Sequence, residues 1–146
     1  MTPEFPPVRE LVPHEPPMLW LRRVVAHSAD ATECEANADD IALLRDAHGR
    51  APGYAALELA AQCVSAHARL AAASAQSGAP RIGFLLGTRR FEVRVPHLLP
   101  GQRMRVRVTR LWGADVGPVS FDAAIRDAES GALLASGRIS CFTPSS

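Results

Sequence analysis

The sequence predicts an α+β domain in which a curled antiparallel sheet wraps one long helix. Residues 52–76 form an alanine-rich segment with apolar residues at helical spacing. The segments on both sides alternate apolar and polar residues, as strands with one buried face do. Short turns separate the later strands, so neighbouring strands should pair. About six strands around a single helix is the economical arrangement of these elements.

The first part of the chain predicts an arm, two strands and a loop. Proline-rich residues 1–17 should be extended, with at most a short turn at Val8–Leu11. Strands are expected at Leu19–His27 and Ala31–Ala38, because apolar and charged residues alternate in the second of them. Residues 39–50 should form one helical turn and then a loop into the long helix.

Four more strands are expected after the helix, at Ile82–Val95, Gln102–Trp112, Val116–Asp127 and Ala132–Phe142. A glycine inside a strand often marks a bulge, and Gly87 is in that position. A turn is expected at residues 96–101, which contain two prolines and end in glycine. Another is expected at residues 128–131, which also end in glycine. Such a sheet leaves edges uncovered, which predicts a homodimer.

The composition narrows the class of protein. The chain has 146 residues, and 16 basic against 15 acidic side chains give a net charge of +1. This balance does not favour a nucleic acid partner or a membrane surface. Three cysteines that are far apart in sequence indicate neither a disulfide framework nor a metal site. The N-terminal region has no signal peptide pattern and no segment is a membrane span, so we expect a cytoplasmic protein.

The predicted helix carries one carboxylate near its start, Glu58, followed one turn later by Gln62. An acid on a largely apolar helix is costly unless it is paired or used in chemistry. Pro52 and Gly53 precede it, as residues at a helix start often do. The N–H groups of Gly53 and Tyr54 should be free there and available to a developing negative charge. Glu58 is therefore the first candidate for a catalytic residue.

Three segments together resemble the hotdog-fold 3-hydroxyacyl-acyl-carrier-protein dehydratases, and especially the dehydratase-like proteins of aryl-polyene and related lipid biosynthesis clusters. They are LVPHEPPML at 11–19, PGYAALELAAQ at 52–62, and GFLLGTRRF at 83–91 followed by LPGQ at 99–102. The resemblance spans nearly the whole chain and implies a single hotdog domain over residues 1–146. It implies dehydration of 3-hydroxyacyl thioesters to trans-2-enoyl thioesters. The acyl group would be carried on the phosphopantetheine of an acyl carrier protein or on coenzyme A, with no further cofactor.

The resemblance also implies site residues. Glu58 matches the catalytic acid, and the matching segments place Gly53, Tyr54, Gln62, Gly83 and Phe84 at the substrate. One departure concerns the catalytic base. In these dehydratases a histidine lies fourteen residues before the glutamate, and here that position is Leu44.

Two histidines are candidates for the missing base. His14 lies on the arm, and its near-neutral pKa suits a base. His48 lies in the loop that leads into the helix.

The missing histidine keeps two other functions open. In a hotdog thioesterase, a lone helix carboxylate would activate water against the thioester. In a catalytically silent subunit, the chain would bind acyl groups or complete a heterodimer with an active homologue. Release of free thiol, formation of an enoyl product and binding without turnover distinguish the three functions.

Overall fold

The computed structural model describes residues 4–74, 84–113 and 117–143. Two single 3-10 turns lie at Ala38–Asp40 and Ala42–Leu44. The helices and strands, numbered in chain order, are α1 Val8–Leu11, β1 Leu21–His27, β2 Ala31–Asn37, β3 Ala51–Pro52, α2 Ala55–Ser74, β4 Phe84–Val93, β5 His97–Leu98, β6 Arg103–Gly113, β7 Gly117–Asp127 and β8 Leu133–Thr143.

Six of the strands form one antiparallel sheet in the order β1-β2-β6-β7-β8-β4, and β3 pairs with β5 in a separate two-stranded sheet. Helix α2 contacts all six strands of the larger sheet. In a flat sheet of six strands the outer strands would lie too far away to contact a single helix. The sheet therefore curves around α2. This confirms the predicted α+β arrangement.

The core lies between α2 and the inner face of the sheet. On β6, Met104, Val106 and Val108 are each 0% exposed, whereas the alternate residues carry arginine side chains. On β2, Cys34 and Ala36 are likewise 0% exposed. The alternation in the sequence therefore identified the buried faces of both strands.

The start of the long helix differs from the prediction. Pro52 does not begin α2 but pairs with His97 as part of β3, and the helix begins at Ala55. Backbone pairing with the 96–98 segment, which is distant in sequence, holds this residue in an extended conformation. The helix continues to Ser74, and the predicted end at 76 lies outside the described residues.

The other boundaries agree with the prediction to within a few residues. Ile41, Leu43 and Leu44 were expected in one helical turn, and the segment instead forms two single 3-10 turns with Leu43 58% exposed. The register of β4 against β8 shifts between Leu85 and Gly87, where a bulge was predicted. No helix in the described part of the chain is long and apolar enough to cross a membrane.

Candidate active site

The N-terminal arm is folded against α2. Its single helical turn, α1, contacts both α2 and β1. Val8, Leu11 and Val12 are buried in the core, each 7% exposed or less. This apolar anchor carries the next residues of the arm, including His14, across the first half of α2.

Gln62 joins the arm to the helix. Its side chain is fully buried, and its amide oxygen accepts the N–H of Trp20 at 2.9 Å. Its amide nitrogen donates to the carbonyl of Met18 at 2.9 Å and to Oε1 of Glu58 at 3.2 Å. Both donor positions of the amide are thus used, which fixes its orientation. One side chain therefore sets the position of the arm and of the helix carboxylate together.

Glu58 and His14 are in direct contact. Nε2 of His14 lies 2.8 Å from Oε1 of Glu58, and the two side chains are 32% and 34% exposed. Oε2 of Glu58 has no hydrogen-bond partner among the described residues. The arrangement holds one carboxylate oxygen through two contacts and leaves the other available to a bound molecule.

The second ring nitrogen of His14 restricts its protonation. Nδ1 is buried and has no hydrogen-bond partner in the described part of the chain. A proton on a buried nitrogen without an acceptor costs free energy, so the neutral ring carries its proton on Nε2, the nitrogen that faces Glu58. An imidazolium would place an unpaired N–H at Nδ1. The geometry therefore favours the tautomer of His14 that carries its proton on Nε2, facing Glu58.

The backbone before α2 supplies fewer free donors than the sequence suggested. The N–H of Gly53 donates to the carbonyl of Pro96 at 2.9 Å, so it is not free as we expected. A Cβ at position 53 would lie 2.1 Å from the carbonyl oxygen of Val95. Glycine is needed there because the backbone of residue 95 approaches it. The N–H of Tyr54 has no partner within the described part of the chain, and the Tyr54 side chain is 67% exposed.

The remaining predicted site residues do not join this group. His48 lies in an exposed turn, where its N–H donates to Asp46, and no contact links it to Glu58. Of the two histidine candidates, the structure brings only His14 to the carboxylate. Gly83 and the side chain of Phe84 lie outside the described residues.

A second polar cluster lies further along α2 and was not predicted. The hydroxyl of Thr32 on β2 is 2.8 Å from Nδ1 of both His27 and His67. His67 is 3% exposed, and its ring lies edge-on to Phe121. Burial, with added repulsion from His27 and Arg110, lowers the pKa of His67 to about 4. The alternation of β2 and the helical spacing of α2 place Thr32 and His67 on facing surfaces, which is the signal that could have identified the pair.

Two cysteines that are distant in sequence are also neighbours. Sγ of Cys63 on α2 lies 3.5 Å from Sγ of Cys34 on β2, and both residues are 0% exposed. Burial raises the pKa of the Cys63 thiol well above its ordinary value. A buried protonated thiol is a weak nucleophile, so the pair acts as core packing.

A family model described as ApeP-like, ApeP dehydratase, matches residues 6–146. A comparison with curated proteins gives no significant match. Among solved structures, the dehydratase heterocomplex ApeI:P from Xenorhabdus doucetiae matches with 25% identity and a TM-score of 0.88, over 97% of this chain and 93% of that chain.

Two further solved structures show the same fold at lower identity. A hypothetical thioesterase with coenzyme A from Streptococcus pneumoniae is 10% identical with a TM-score of 0.63, covering 83% of this chain and 84% of that one. AziG from S. sahachiroi is 15% identical with a TM-score of 0.63, covering 84% of this chain and 90% of that one. These likenesses confirm the hotdog fold.

Proposed function

This chain belongs to the ApeP-like dehydratase family, and from that premise we propose that it dehydrates 3-hydroxyacyl thioesters to trans-2-enoyl thioesters. The observation that carries the proposal is the 2.8 Å contact between Nε2 of His14 and Oε1 of Glu58. It supplies a positioned carboxylate with one free oxygen in a chain that has no histidine at the usual position. In polyene or fatty-acid-like synthesis, the substrate would be borne on an acyl carrier protein or on coenzyme A.

In the proposed reaction, one carboxylate oxygen handles both proton transfers. Oε2 of ionised Glu58 accepts the C2 proton, and electrons move to expel the 3-hydroxyl group. Glu58 then returns the proton to the departing hydroxyl, and water leaves. Each turnover restores the ionised carboxylate, so no second base is needed to balance the protons.

His14 has a positioning role in this scheme. The sequence suggested Glu58 as the acid and His14 as the base. The buried Nδ1 of His14 has no hydrogen-bond partner among the described residues, which supports a His14 that presents an Nε2 proton to Glu58 instead. The N–H of Tyr54, which has no partner among the described residues, would donate to the thioester oxygen as negative charge develops on it.

The test is hydration of a short trans-2-enoyl pantetheine thioester, the reverse reaction, followed by loss of enoyl absorbance. Glu58→Gln should reduce kcat/KM by about 10³-fold or more, because no group is left to transfer protons. His14→Gln keeps an N–H donor near Oε1 and should remain within roughly tenfold of wild type. His14→Met removes the donor and should lose about 10²-fold.

The matched control is His48→Ala, which should leave kcat/KM unchanged. Equal large losses in His14→Gln and His14→Met would identify His14 as a proton-transferring base and reject the scheme above. A wild-type chain that binds the thioester but does not hydrate it would reject independent catalysis.

A catalytic or silent subunit of a heterodimer is the second candidate. Two observations favour it: the matching structure from Xenorhabdus doucetiae is a dehydratase heterocomplex, and the buried Nδ1 of His14 meets no hydrogen-bond donor among the described residues, which a partner subunit would supply. Edge strands β1 and β4 give either a homodimer or a heterodimer a surface to extend. Native mass measured alone and after mixing with a homologous dehydratase distinguishes the two assemblies. The thioesterase alternative has only a shared fold in its favour.

A further inference from the structure

The segment that carries His14 has few backbone donors of its own. Residues 13–17 read PHEPP, and the three prolines among them have no N–H group. These residues lie between α1 and β1 and belong to neither element. Neighbouring groups therefore have to bind their carbonyls and hold them in place over α2.

Trp20 binds both this segment and the long helix. Its indole N–H donates to the carbonyl of Pro17 at 3.1 Å, and its backbone N–H donates to Oε1 of Gln62 at 2.9 Å. The residue is 2% exposed and packs in the hydrophobic core. A tryptophan side chain has a single N–H donor and few rotatable bonds, so a buried indole holds its acceptor in one place.

A turn connects the Pro17 carbonyl to His14. The N–H of Met18 donates to the carbonyl of Glu15 at 2.7 Å, which closes a turn that includes Pro17. Glu15 is the residue directly after His14, so the orientation of this turn sets where the His14 side chain begins. Because Pro17 lies within the turn, the indole of Trp20 fixes that orientation.

The contact between His14 and Glu58 needs this support. The two side chains are 32% and 34% exposed, and a pair that solvent reaches gains little free energy from its own attraction. Such a pair keeps one geometry only where the backbone on each side is held. Helix α2 holds Glu58, and the turn bound by Trp20 holds His14.

The contacts separate the role of Trp20 from that of Gln62. The Gln62 amide contacts both the arm and Glu58, so replacing it disturbs the two together. The indole N–H of Trp20 donates to Pro17 and not to Glu58. Its loss would move His14 and leave the contact between Gln62 and Glu58 in place.

We propose that Trp20 is a positioning residue for the reaction, and that its indole N–H acts through the Pro17 carbonyl to hold Nε2 of His14 against Glu58. This inference rests on the proposed function, because the position of His14 affects turnover only if Glu58 transfers the protons. It assigns Trp20 no contact with the substrate. A small displacement of a group that orients a catalytic side chain can cost a large part of the rate, even when the displaced group never touches the substrate.

The first test compares the same substitution at two tryptophans. Trp20→Phe removes the indole N–H and keeps a buried aromatic ring. In hydration of the short enoyl pantetheine thioester, kcat should fall about tenfold and KM should change less than about twofold, because the groups that bind substrate stay in place. The chain has one other tryptophan, Trp112, which is 55% exposed on β6. Trp112→Phe is the matched control and should leave both constants unchanged.

A double-mutant cycle shows whether Trp20 acts through His14. In the His14→Met background, Trp20→Phe should lower kcat by less than about twofold, because the group that Trp20 positions is already gone. An equal loss of kcat in the two backgrounds would overturn the inference, since Trp20 would then act on another group.

An isostere of tryptophan keeps the inference testable if Trp20→Phe does not fold. In the Trp112→Phe background, growth on β-(3-benzothienyl)alanine replaces the remaining tryptophan with a ring of the same shape that has sulfur in place of the N–H. This replacement should reproduce the loss of kcat. A kcat equal to that of wild type would overturn the inference.

Modification of histidines by diethyl pyrocarbonate gives a readout that does not depend on activity. In wild type, Nε2 of His14 faces Glu58 and Nδ1 is buried, so both nitrogens should react slowly. Release of the ring in Trp20→Phe should speed modification of His14 several-fold, whereas His48, in an exposed turn, should react at the same rate in both proteins. If wild type does not hydrate the thioester, the proposed function fails, and the modification rates decide the inference. Equal His14 rates in wild type and Trp20→Phe overturn it.

Discussion

Helix α2 holds two polar clusters that differ in what surrounds them. In the first, Oε1 of Glu58 contacts both His14 and the buried amide of Gln62. The second joins His27 and His67 through the buried hydroxyl of Thr32. Both contain a histidine beside an oxygen, and each includes one fully buried residue, Gln62 in the first and Thr32 in the second. They differ in charge, exposure and the presence of a free acceptor.

That difference determines which cluster can do chemistry. The Glu58 carboxylate is about one-third exposed and has a free oxygen, so it can exchange protons with a bound molecule. The Thr32 cluster contains no acid, and burial keeps the pKa of His67 near 4, so that histidine is neutral at neutral pH. A histidine hydrogen bond alone is therefore a poor marker of an active site.

The largest expected effect tests whether Glu58 and His14 act as one unit. Glu58→Gln alone should reduce kcat/KM by about 10³-fold. Adding His14→Met should then cost less than threefold more, because positioning a carboxylate has no value once the carboxylate is gone. Hydration kinetics of the pantetheine thioester measure this double-mutant cycle. Losses that multiply would mean that the two residues act separately.

Gln62→Met comes next and should reduce both stability and activity. The substitution leaves the N–H of Trp20 and the carbonyl of Met18 without their partner, at a cost of about 2–3 kcal/mol in the free energy of unfolding. The arm would also hold His14 less firmly, so kcat/KM should fall roughly tenfold. Urea denaturation and hydration kinetics check the two parts. Ser65→Ala, one turn away, is the control and should change neither.

The fold could largely be predicted because its signals are local. Alternation identified the buried faces of β2 and β6, and helical spacing identified α2. The same local reasoning selected Glu58 and Gln62, since an acid on an apolar helix stands out in one segment of sequence. Segments this regular specify their own burial pattern.

The features that the sequence did not reveal depend on contacts between distant segments. Position 53 requires glycine because the backbone of residue 95 comes close to it, and no local sequence pattern shows that approach. The Cys34–Cys63 contact was missed because spacing along the chain was taken as distance in space. The choice of His14 over His48 required the arm to fold over α2, and that path is set by Gln62 and the buried residues of α1.

Acid should weaken the fold through the second cluster. The pKa of His67 is about 4 in the folded chain and 6.5 in the unfolded one, so the unfolded state takes up the proton first as pH falls. The contribution of neutral His67 to the free energy of unfolding is fully present above pH 6.5. It is lost progressively as the pH falls from 6.5 to about 4. Through His67, acidification from pH 7 to pH 5 should lower the free energy of unfolding by about 2 kcal/mol.

Urea midpoints of wild type and His67→Asn at the two pH values measure this loss. Asparagine keeps a polar atom near Nδ1 but does not titrate, so His67→Asn should lose less stability on acidification than wild type. His48→Asn, in an exposed turn, should behave like wild type. If His67→Asn loses as much stability on acidification as wild type, another group causes the acid sensitivity of the fold. His27 is the next group to test, since burial lowers its pKa too.

Thr32→Val should have the smallest effect on the free energy of unfolding. It tests most directly whether the second cluster affects the activity of the first. Valine has a similar shape but removes the hydroxyl, leaving Nδ1 of buried His67 unpaired at a cost of about 1 kcal/mol in the free energy of unfolding. Thr32→Ser keeps the hydroxyl and is the matched control for the hydrogen bond. Because no step of the proposed reaction uses this cluster, both variants should retain kcat/KM within twofold. A loss of activity in Thr32→Val that Thr32→Ser does not share would show that α2 transmits the state of the second cluster to Glu58, and the structural assignment of His67 would then be wrong.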